Sequence, residues 1–236
     1  MHPVFFYLSF ILILKTGIAH DAMNNQTEEK KLKYLALGDS YTIGEGVGEE
    51  ERYPVLLSES LKGFDIHLSE IKIIARTGWT TDELSEAIDK AELSKPWELV
   101  TLLIGVNNQY RGRSPESYRS EFVALLERSI DFAGGRKDRV IVLSIPDWGV
   151  TPFAEGRDRE KIASETDAYN GINREESERA GVSWLDVTTI SREAALKPEL
   201  LAADGLHPSG LMYRYWVKDL LPLAFRILNK TNQESE

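Results

Sequence analysis

The sequence contains no cysteine and only four histidines. Without cysteine the chain has no disulfide, no cysteine nucleophile, no thiolate ligand for a metal and no cysteine to carry a lipid. Two of the histidines, His2 and His20, lie near the start of the chain. Because a zinc site generally needs clustered histidine, cysteine or carboxylate ligands, we expect no metal site.

Positive charge is also scarce, with 28 lysines and arginines against 38 aspartates and glutamates and a net charge of −10. Such a surface repels a phosphate backbone, so we expect no nucleic acid partner. The length of 236 residues suits one α/β domain with a single core, and we find no internal repeat. The oligomeric state is left open by the sequence.

The N-terminus carries a continuous apolar run, "VFFYLSFILIL", at residues 4–14. It is shorter than the roughly 20 residues that a membrane span needs, and its length is typical of the core of a signal peptide. Gly17 and Ala19 are small residues placed for cleavage before His20. We therefore expect export to the periplasm or the medium, and no stable membrane association if the leader is cleaved. The alternative is an uncleaved N-terminal membrane anchor.

The predicted organisation of the chain has four parts. These are a signal peptide at 1–19, a polar linker at 20–31, one folded domain at 32–230 and a mobile tail at 231–236.

Within the domain, short apolar runs alternate with longer amphipathic segments. The predicted strands are 33–37, 71–75, 99–105, 139–145 and 182–187. The predicted helices are 52–61, 80–93 with a capping box at Thr80 and Glu83, one from Pro115 up to Gly134, 159–180 and 210–228. This alternation predicts a parallel five-stranded sheet with helices on both faces, a single-domain three-layer α/β/α fold. Ligands of such sheets bind beyond the carboxyl ends of the strands.

The stretch "ALGDSYTIGEG" at 36–46 puts a serine at such a strand end. The apolar run stops at Gly38, and Asp39 and Ser40 follow, so we expect Ser40 to be exposed there. A serine becomes a nucleophile when a base takes its proton, and histidine is the usual base. His67 lies in or beside the second strand without a carboxylate loop around it, which leaves His207.

His207 stands three residues after Asp204 in "LAADGLHPSG". This spacing lets the carboxylate reach one imidazole nitrogen, which fixes the tautomer and leaves the other nitrogen facing out. The sequence therefore predicts Ser40, His207 and Asp204 as catalytic residues. An oxyanion hole would be formed by the backbone N–H groups of Ser40 and Gly78 and by the side-chain amide of Asn107.

These blocks resemble those of the GDSL-type esterases and lipases, the SGNH hydrolases. Gly38 to Ser40 would be the first block, Gly78 the second, Gly105 with Asn107 the third, and Asp204 with His207 the last. The resemblance implies a flavodoxin-like sheet and hydrolysis of a small ester through an acyl-serine intermediate, without metal or cofactor. Two departures are Tyr41, where the family name has leucine, and Asn108, where the family usually has aspartate.

Four aromatic residues near strand ends are predicted to line a substrate pocket: Tyr41, Trp79, Tyr110 and Trp148. They could equally anchor their loops. Small acyl or acetyl esters are the expected substrates, and a carbohydrate O-acetyl deacetylase or an acyltransferase fits the same residues. An alternative of another class is a non-catalytic glycan-binding module on a hydrolase fold.

Overall fold

The computed structural model describes residues 31–233. The predicted signal peptide, all but the last residue of the predicted linker, and residues 234–236 of the predicted tail lie outside this part of the chain. The strands are β1 (Leu32–Gly38), β2 (Leu68–Ala75), β3 (Leu99–Leu103), β4 (Val140–Leu143) and β5 (Ser183–Leu185). The helices are α1 (Ser40–Ile43), α2 (Tyr53–Lys62), α3 (Thr81–Lys90), α4 (Val106–Tyr110), α5 (Pro115–Phe132), α6 (Arg159–Ala180), α7 (Thr188–Arg192) and α8 (Gly210–Gln233).

The five strands form one parallel sheet in the order β2-β1-β3-β4-β5, as the alternation of elements predicts. The chain leaves β1 to one side to make β2 and then crosses to the other side to make β3. The order in which strands are added therefore reverses at β1. At such a point a parallel sheet has a crevice at the carboxyl ends of its strands. Gly38 pairs with Ala75 of β2 and Leu103 of β3, so these three strands end level.

The strands differ in burial according to their place in the sheet. Every residue of β3 and β4 is buried, because helices cover both faces of these inner strands. β2, at one edge, has only one buried residue, Ile74.

The helices form two groups, one on each face of the sheet. α2 packs against α8, while α5 packs against α3 on one side and α6 on the other. Together with the sheet they make the predicted three layers. No helix among residues 31–233 is long and apolar enough to cross a membrane.

The first strand ends at a glycine because its neighbours come too close for a side chain. A Cβ atom on Gly38 would lie 2.1 Å from Thr42 Oγ1 and 2.4 Å from the carbonyl oxygen of Leu103. Both distances are well inside van der Waals contact, so only glycine fits between β3 and the turn that follows β1. This close approach lets the chain turn into α1 directly after the strand.

Candidate active site

A cavity of about 150 Å³ opens at the carboxyl ends of β1, β2, β3 and β4. Its walls combine polar groups from the loops after β1, β2 and β3 and before α8 with apolar side chains, including two from the loop after β4. They are formed by Ser40, Tyr41, Thr77, Gly78, Val106, Asn107, Tyr110, Trp148, Phe153, Leu206 and His207. The fold thus brings the serine, the histidine, the glycine and the asparagine of the sequence prediction to one place. Of the four aromatic residues predicted to line a substrate pocket, only Trp79 does not line this cavity. Its side chain packs against the core instead.

Ser40 is the first residue of α1, a helix of four residues. Asp39 caps this helix, and its Oδ1 accepts a hydrogen bond of 3.0 Å from the backbone N–H of Tyr41. The sequence-based expectation that Ser40 is exposed is wrong, because only 4% of the residue is accessible. The residue lies in the floor of the cavity, where the walls described above shield it from bulk water.

Asp39, the residue before Ser40, is fully buried. Its Oδ2 has no hydrogen-bond partner among the described residues. Burial raises the pKa of Asp39 to about 7, although the N–H groups of Tyr41 and of Asp39 itself partly offset the effect. Burying the protonated carboxyl group costs less free energy than burying the carboxylate.

A pH-dependent stability follows from this raised pKa. In the unfolded chain Asp39 ionises near pH 4, so between about pH 4 and 7 the unfolded state loses a proton that the native state keeps. The stabilising contribution is present below pH 4 and is lost as the pH rises through 7. We expect the free energy of unfolding of the wild type, relative to Asp39→Asn, to fall by about 2 kcal/mol or more from pH 5 to 7.5. Urea unfolding of both proteins at both pH values measures this difference, and a difference independent of pH would contradict it.

Asp204 and His207 form a hydrogen-bonded pair, with 2.6 Å between Asp204 Oδ2 and His207 Nδ1. The other carboxylate oxygen, Oδ1, accepts the backbone N–H groups of Leu206 and His207 at 2.9 and 3.0 Å. The loop between the two residues is therefore wrapped around the carboxylate. With Nδ1 bound to Asp204, Nε2 is the imidazole nitrogen left to act as a base.

The electrostatics of Asp204 suit this pairing. Partial burial raises its pKa, but the hydrogen bonds from the ring and backbone of His207 and from Leu206 outweigh that effect, so the pKa lies below its ordinary value. The carboxylate therefore stays ionised and stabilises an imidazolium on His207. The ring of Tyr41 packs against the imidazole at a tilt of 56°, with 5.2 Å between ring centroids.

Three N–H donors border the cavity where an oxyanion would form. Among residues 31–233 no acceptor is found for the backbone N–H of Ser40 or of Gly78. Asn107 donates one Nδ2 hydrogen to the carbonyl oxygen of Trp79 over 2.9 Å, which orients the amide and leaves its second hydrogen for another acceptor. Backbone N–H groups and an asparagine amide are donor types that form oxyanion holes.

The position of Asn107 depends on Gly105, which no other residue type can replace. Gly105 precedes α4 with a φ of 131°, and a Cβ atom there would lie 2.7 Å from the ring of Tyr118. A positive φ and this close ring together exclude other residues. The chain can therefore leave β3 and enter α4 within two residues, which brings Asn107 to the cavity.

Asn108, the departure from the family pattern, links two loops of the site. Its Oδ1 accepts the N–H of Thr81 at 3.1 Å, and its Nδ2 donates to Thr81 Oγ1 at 2.6 Å and to Glu121 at 3.3 Å. The start of α3, just after Gly78, is thereby tied to α4. Asparagine thus supports the loops with an amide that both accepts and donates.

Tyr41, Tyr110 and Trp148 line the cavity, and Trp148 also anchors its loop through hydrogen bonds. Trp148 is buried, and its Nε1 donates to Gln109 Oε1 at 2.7 Å; Gln109 in turn donates to Glu165 at 2.7 Å. Tyr110 is 41% exposed and Phe153 44% exposed, and both rings pack against Trp148. That these aromatic residues contact a substrate stays a prediction.

Several cavity residues were not predicted from the sequence: Thr77, Val106, Phe153 and Leu206. Each lies one to five residues from a predicted site residue, so its position in the same loop was the available signal. Within the described part of the chain no group of three or more histidine, aspartate or glutamate residues could hold a metal ion.

Fold and family comparison together define the class of this protein: it is a hydrolase that acts on ester bonds. The chain belongs to the GDSL-like lipase/acylhydrolase family, which matches residues 36–215. That span covers all the blocks identified in the sequence, from Gly38 to His207. Curated proteins offer no match to the chain.

Solved structures share the fold at low sequence identity. A lipolytic protein of the G-D-S-L family from Veillonella parvula is 17% identical with a TM-score of 0.64, over 83% of this chain and 99% of that one. The acetylxylan esterase Axe2 from Geobacillus stearothermophilus is 18% identical with a TM-score of 0.62, over 84% and 94%. The esterase EstA from Pseudoalteromonas sp., inhibited by monoethylphosphonate, is 17% identical with a TM-score of 0.60, over 84% and 98%.

Proposed function

We propose that this protein hydrolyses esters of short carboxylic acids through an acyl-serine intermediate on Ser40. The observation that carries the proposal is the shared cavity: Ser40 and His207 line one small space, and His207 is bound through Nδ1 to the carboxylate of Asp204. Nucleophile, base and orienting acid are then within one site.

The reaction has two halves. His207 Nε2 takes the Ser40 proton as Oγ attacks the ester carbonyl, and the N–H groups of Ser40, Gly78 and Asn107 bind the resulting oxyanion. Collapse breaks the ester bond, and His207 returns the proton to the departing alcohol. A water molecule, deprotonated by the same nitrogen, then attacks the acyl group and releases the acid and free Ser40.

The size and lining of the cavity favour a short acyl group. A protein cavity of about 150 Å³ can hold a molecule the size of benzene, and this cavity has the same volume. Val106, Trp148 and Leu206 give it apolar walls. Acetyl to butyryl groups fill such a space, whereas a long fatty acyl chain would have to extend into water.

A second candidate, hydrolysis of acetyl groups on carbohydrates, is favoured by the exposed rings at the mouth. Tyr110 and Phe153 lie 6.1 Å apart, centroid to centroid, and each keeps about two fifths of its surface accessible. Sugar rings pack on such faces through their C–H groups. The acetylxylan esterase among the structural neighbours acts on an ester of this kind.

Hydrolysis of p-nitrophenyl acetate, butyrate and octanoate by the purified full chain tests the acyl preference. We expect kcat/KM for acetate and butyrate to exceed that for octanoate by about tenfold or more. Equal rates for acetate and octanoate would contradict a small acyl pocket. Acyl transfer is measured in the same assay by adding methanol or xylose, because a transferase forms a new ester in place of the free acid.

Labelling with an ethyl phosphonate fluoride distinguishes the enzyme from a non-catalytic glycan-binding module. Mass spectrometry of the digested protein is expected to find the phosphonate on the peptide that contains Ser40. A folded protein that stays unlabelled would favour the binding module.

Removing the amide of Asn107 tests the oxyanion hole. We expect Asn107→Ala to lower kcat by about 10²–10³-fold, because the donor acts on charge that develops in the transition state. KM for p-nitrophenyl acetate should change little. Steady-state kinetics on wild type and variant give both numbers, and a loss of kcat below about threefold would remove Asn107 from this role.

A further inference from the structure

Arg157 holds a positive charge beside the aromatic wall of the cavity. It lies in the segment between the 3₁₀ turn Pro152–Ala154 and α6. The centre of its guanidinium group is 5.0 Å from the ring centroid of Tyr110 and 5.4 Å from that of Trp148, two residues that line the cavity. Its Nη2 donates to the hydroxyl of Tyr110 at 3.1 Å, which fixes the group on the ring.

The charge of Arg157 is not neutralised by the protein. Among residues 31–233 no aspartate or glutamate lies within ion-pair distance of it, and its only side-chain hydrogen bond is the one to Tyr110. A guanidinium group has five N–H donors, so four are unused. The neighbouring carboxylate of Asp158 accepts the N–H of Lys161 and caps α6.

Two other arginines near the cavity, Arg111 and Arg113, differ in this respect. Arg111 pairs with Glu83 at 3.3 Å and donates to the carbonyl oxygen of Gly78 at 2.7 Å. Arg113 pairs with Asp82 at 2.7 Å. Their charges stabilise the loops around α3, whereas that of Arg157 is free to meet a ligand.

On the basis of the proposed esterase function, we infer that Arg157 binds an anionic group of the substrate, either a carboxylate or a phosphate. A guanidinium group carries paired N–H groups that match two oxygens of such an anion. A chain with a net charge of −10 repels anionic esters in general. Arg157, held against the aromatic wall of the cavity, gives those esters a local binding site.

A purely structural role for Arg157 makes a different prediction. If the residue only covers Tyr110 and holds its ring in place, its loss weakens the hydrolysis of neutral and anionic esters equally. An anion-binding role affects the anionic ester alone.

Three related acetyl esters separate these roles: methyl 4-acetoxybenzoate, which is neutral, 4-acetoxybenzoate and 4-acetoxyphenyl phosphate. We expect Arg157→Gln to lower kcat/KM for an anionic ester by about three- to tenfold through KM, with less than a twofold change for the neutral ester. Comparing each variant with the wild type on the same ester cancels differences in leaving-group reactivity. The anionic ester that loses more shows whether the site suits carboxylate or phosphate.

Two further variants serve as controls. Arg157→Lys keeps the charge without the planar fork and is expected to retain part of the preference. Arg226→Gln removes one exposed positive charge from α8, thirteen residues past Tyr213, which contacts Tyr41 at the site. At 1.5 Å per residue it lies about 20 Å away, so the preference should not change.

The outcomes distinguish the inference from the proposed function. Equal losses on neutral and anionic esters in Arg157→Gln, or the same loss in Arg226→Gln, would overturn anion binding by Arg157 while hydrolysis itself stands. A wild type that hydrolyses none of the three esters and takes no phosphonate on Ser40 would overturn the proposed function, and the inference with it.

Discussion

Replacing Ser40 by alanine is expected to lower kcat for p-nitrophenyl acetate by at least about 10⁴-fold, because no acyl-enzyme can form without the serine oxygen. The donors that would bind the oxyanion stay in place, so a small residual rate from bound water is expected. Steady-state kinetics with enough enzyme to measure this residual rate give the ratio.

The loss in Ser40→Ala should not come from unfolding. No hydrogen bond from Ser40 Oγ to another described residue is found, so its removal leaves no buried partner unsatisfied. We expect the free energy of unfolding to change by less than about 0.5 kcal/mol. Ser60→Ala, which removes a hydroxyl from α2 that bonds only to Leu56, is the matched control and should keep full activity. More than a tenth of wild-type activity in Ser40→Ala would place the nucleophile elsewhere.

The long elements of the fold could be predicted from local sequence. The helix predicted at 159–180 is found with the same ends, because Asp158 caps its first turn and Gly181 ends it in the left-handed conformation. The capping box of Thr80 and Glu83 is also confirmed. The strands β3 and β4 are apolar apart from Thr101, since both faces are covered.

The short elements could not be predicted in this way. α1 has four residues and α4 has five, too few for an apolar periodicity to appear. Each is formed because a glycine lets the backbone turn sharply after a strand, and the need for that glycine depends on Thr42 in one case and Tyr118 in the other. The burial of Ser40 depends on these turns, which explains why the expectation of an exposed serine is wrong. The last helix also continues to Gln233, past the predicted end at Leu228.

In the candidate site too, some residues could be predicted from local sequence and others could not. Ser40, Gly78 and Asn107 follow the ends of β1, β2 and β3, and a parallel sheet brings its strand ends to one edge, so their place along the chain was enough to group them. Asp204 and His207 lie beyond α7, and the signal for them was their spacing of three residues. The walls of the cavity depend on contacts between distant loops. Phe153, for example, is held by its backbone N–H bond to Gly205, over 3.3 Å, beside the loop of His207.

Changing Asp204 to asparagine tests the histidine–aspartate pair and is expected to lower kcat by about 10³–10⁴-fold. The asparagine oxygen can still accept the N–H groups of Leu206 and His207, so the loop keeps its shape. Its amide NH₂ would then face His207 Nδ1, which must accept a hydrogen bond in place of donating one. The imidazole proton moves to Nε2, and the nitrogen that should take the proton from Ser40 is blocked.

The chain offers a matched control for this change in its other aspartate–histidine pair. Asp65 Oδ1 lies 3.4 Å from His67 Nε2, and both side chains are exposed far from the cavity walls. Asp65 has a φ of 59°, which asparagine also adopts readily, so Asp65→Asn should be neutral for folding. We expect Asp65→Asn to keep wild-type kcat, since it removes the same charge without touching His207. An equal loss in both variants would mean that net charge matters and the tautomer does not. A loss in Asp204→Asn below about tenfold would show that His207 acts as a base without the carboxylate. The hydrogen bond of 2.6 Å between Asp204 and His207 argues against that outcome.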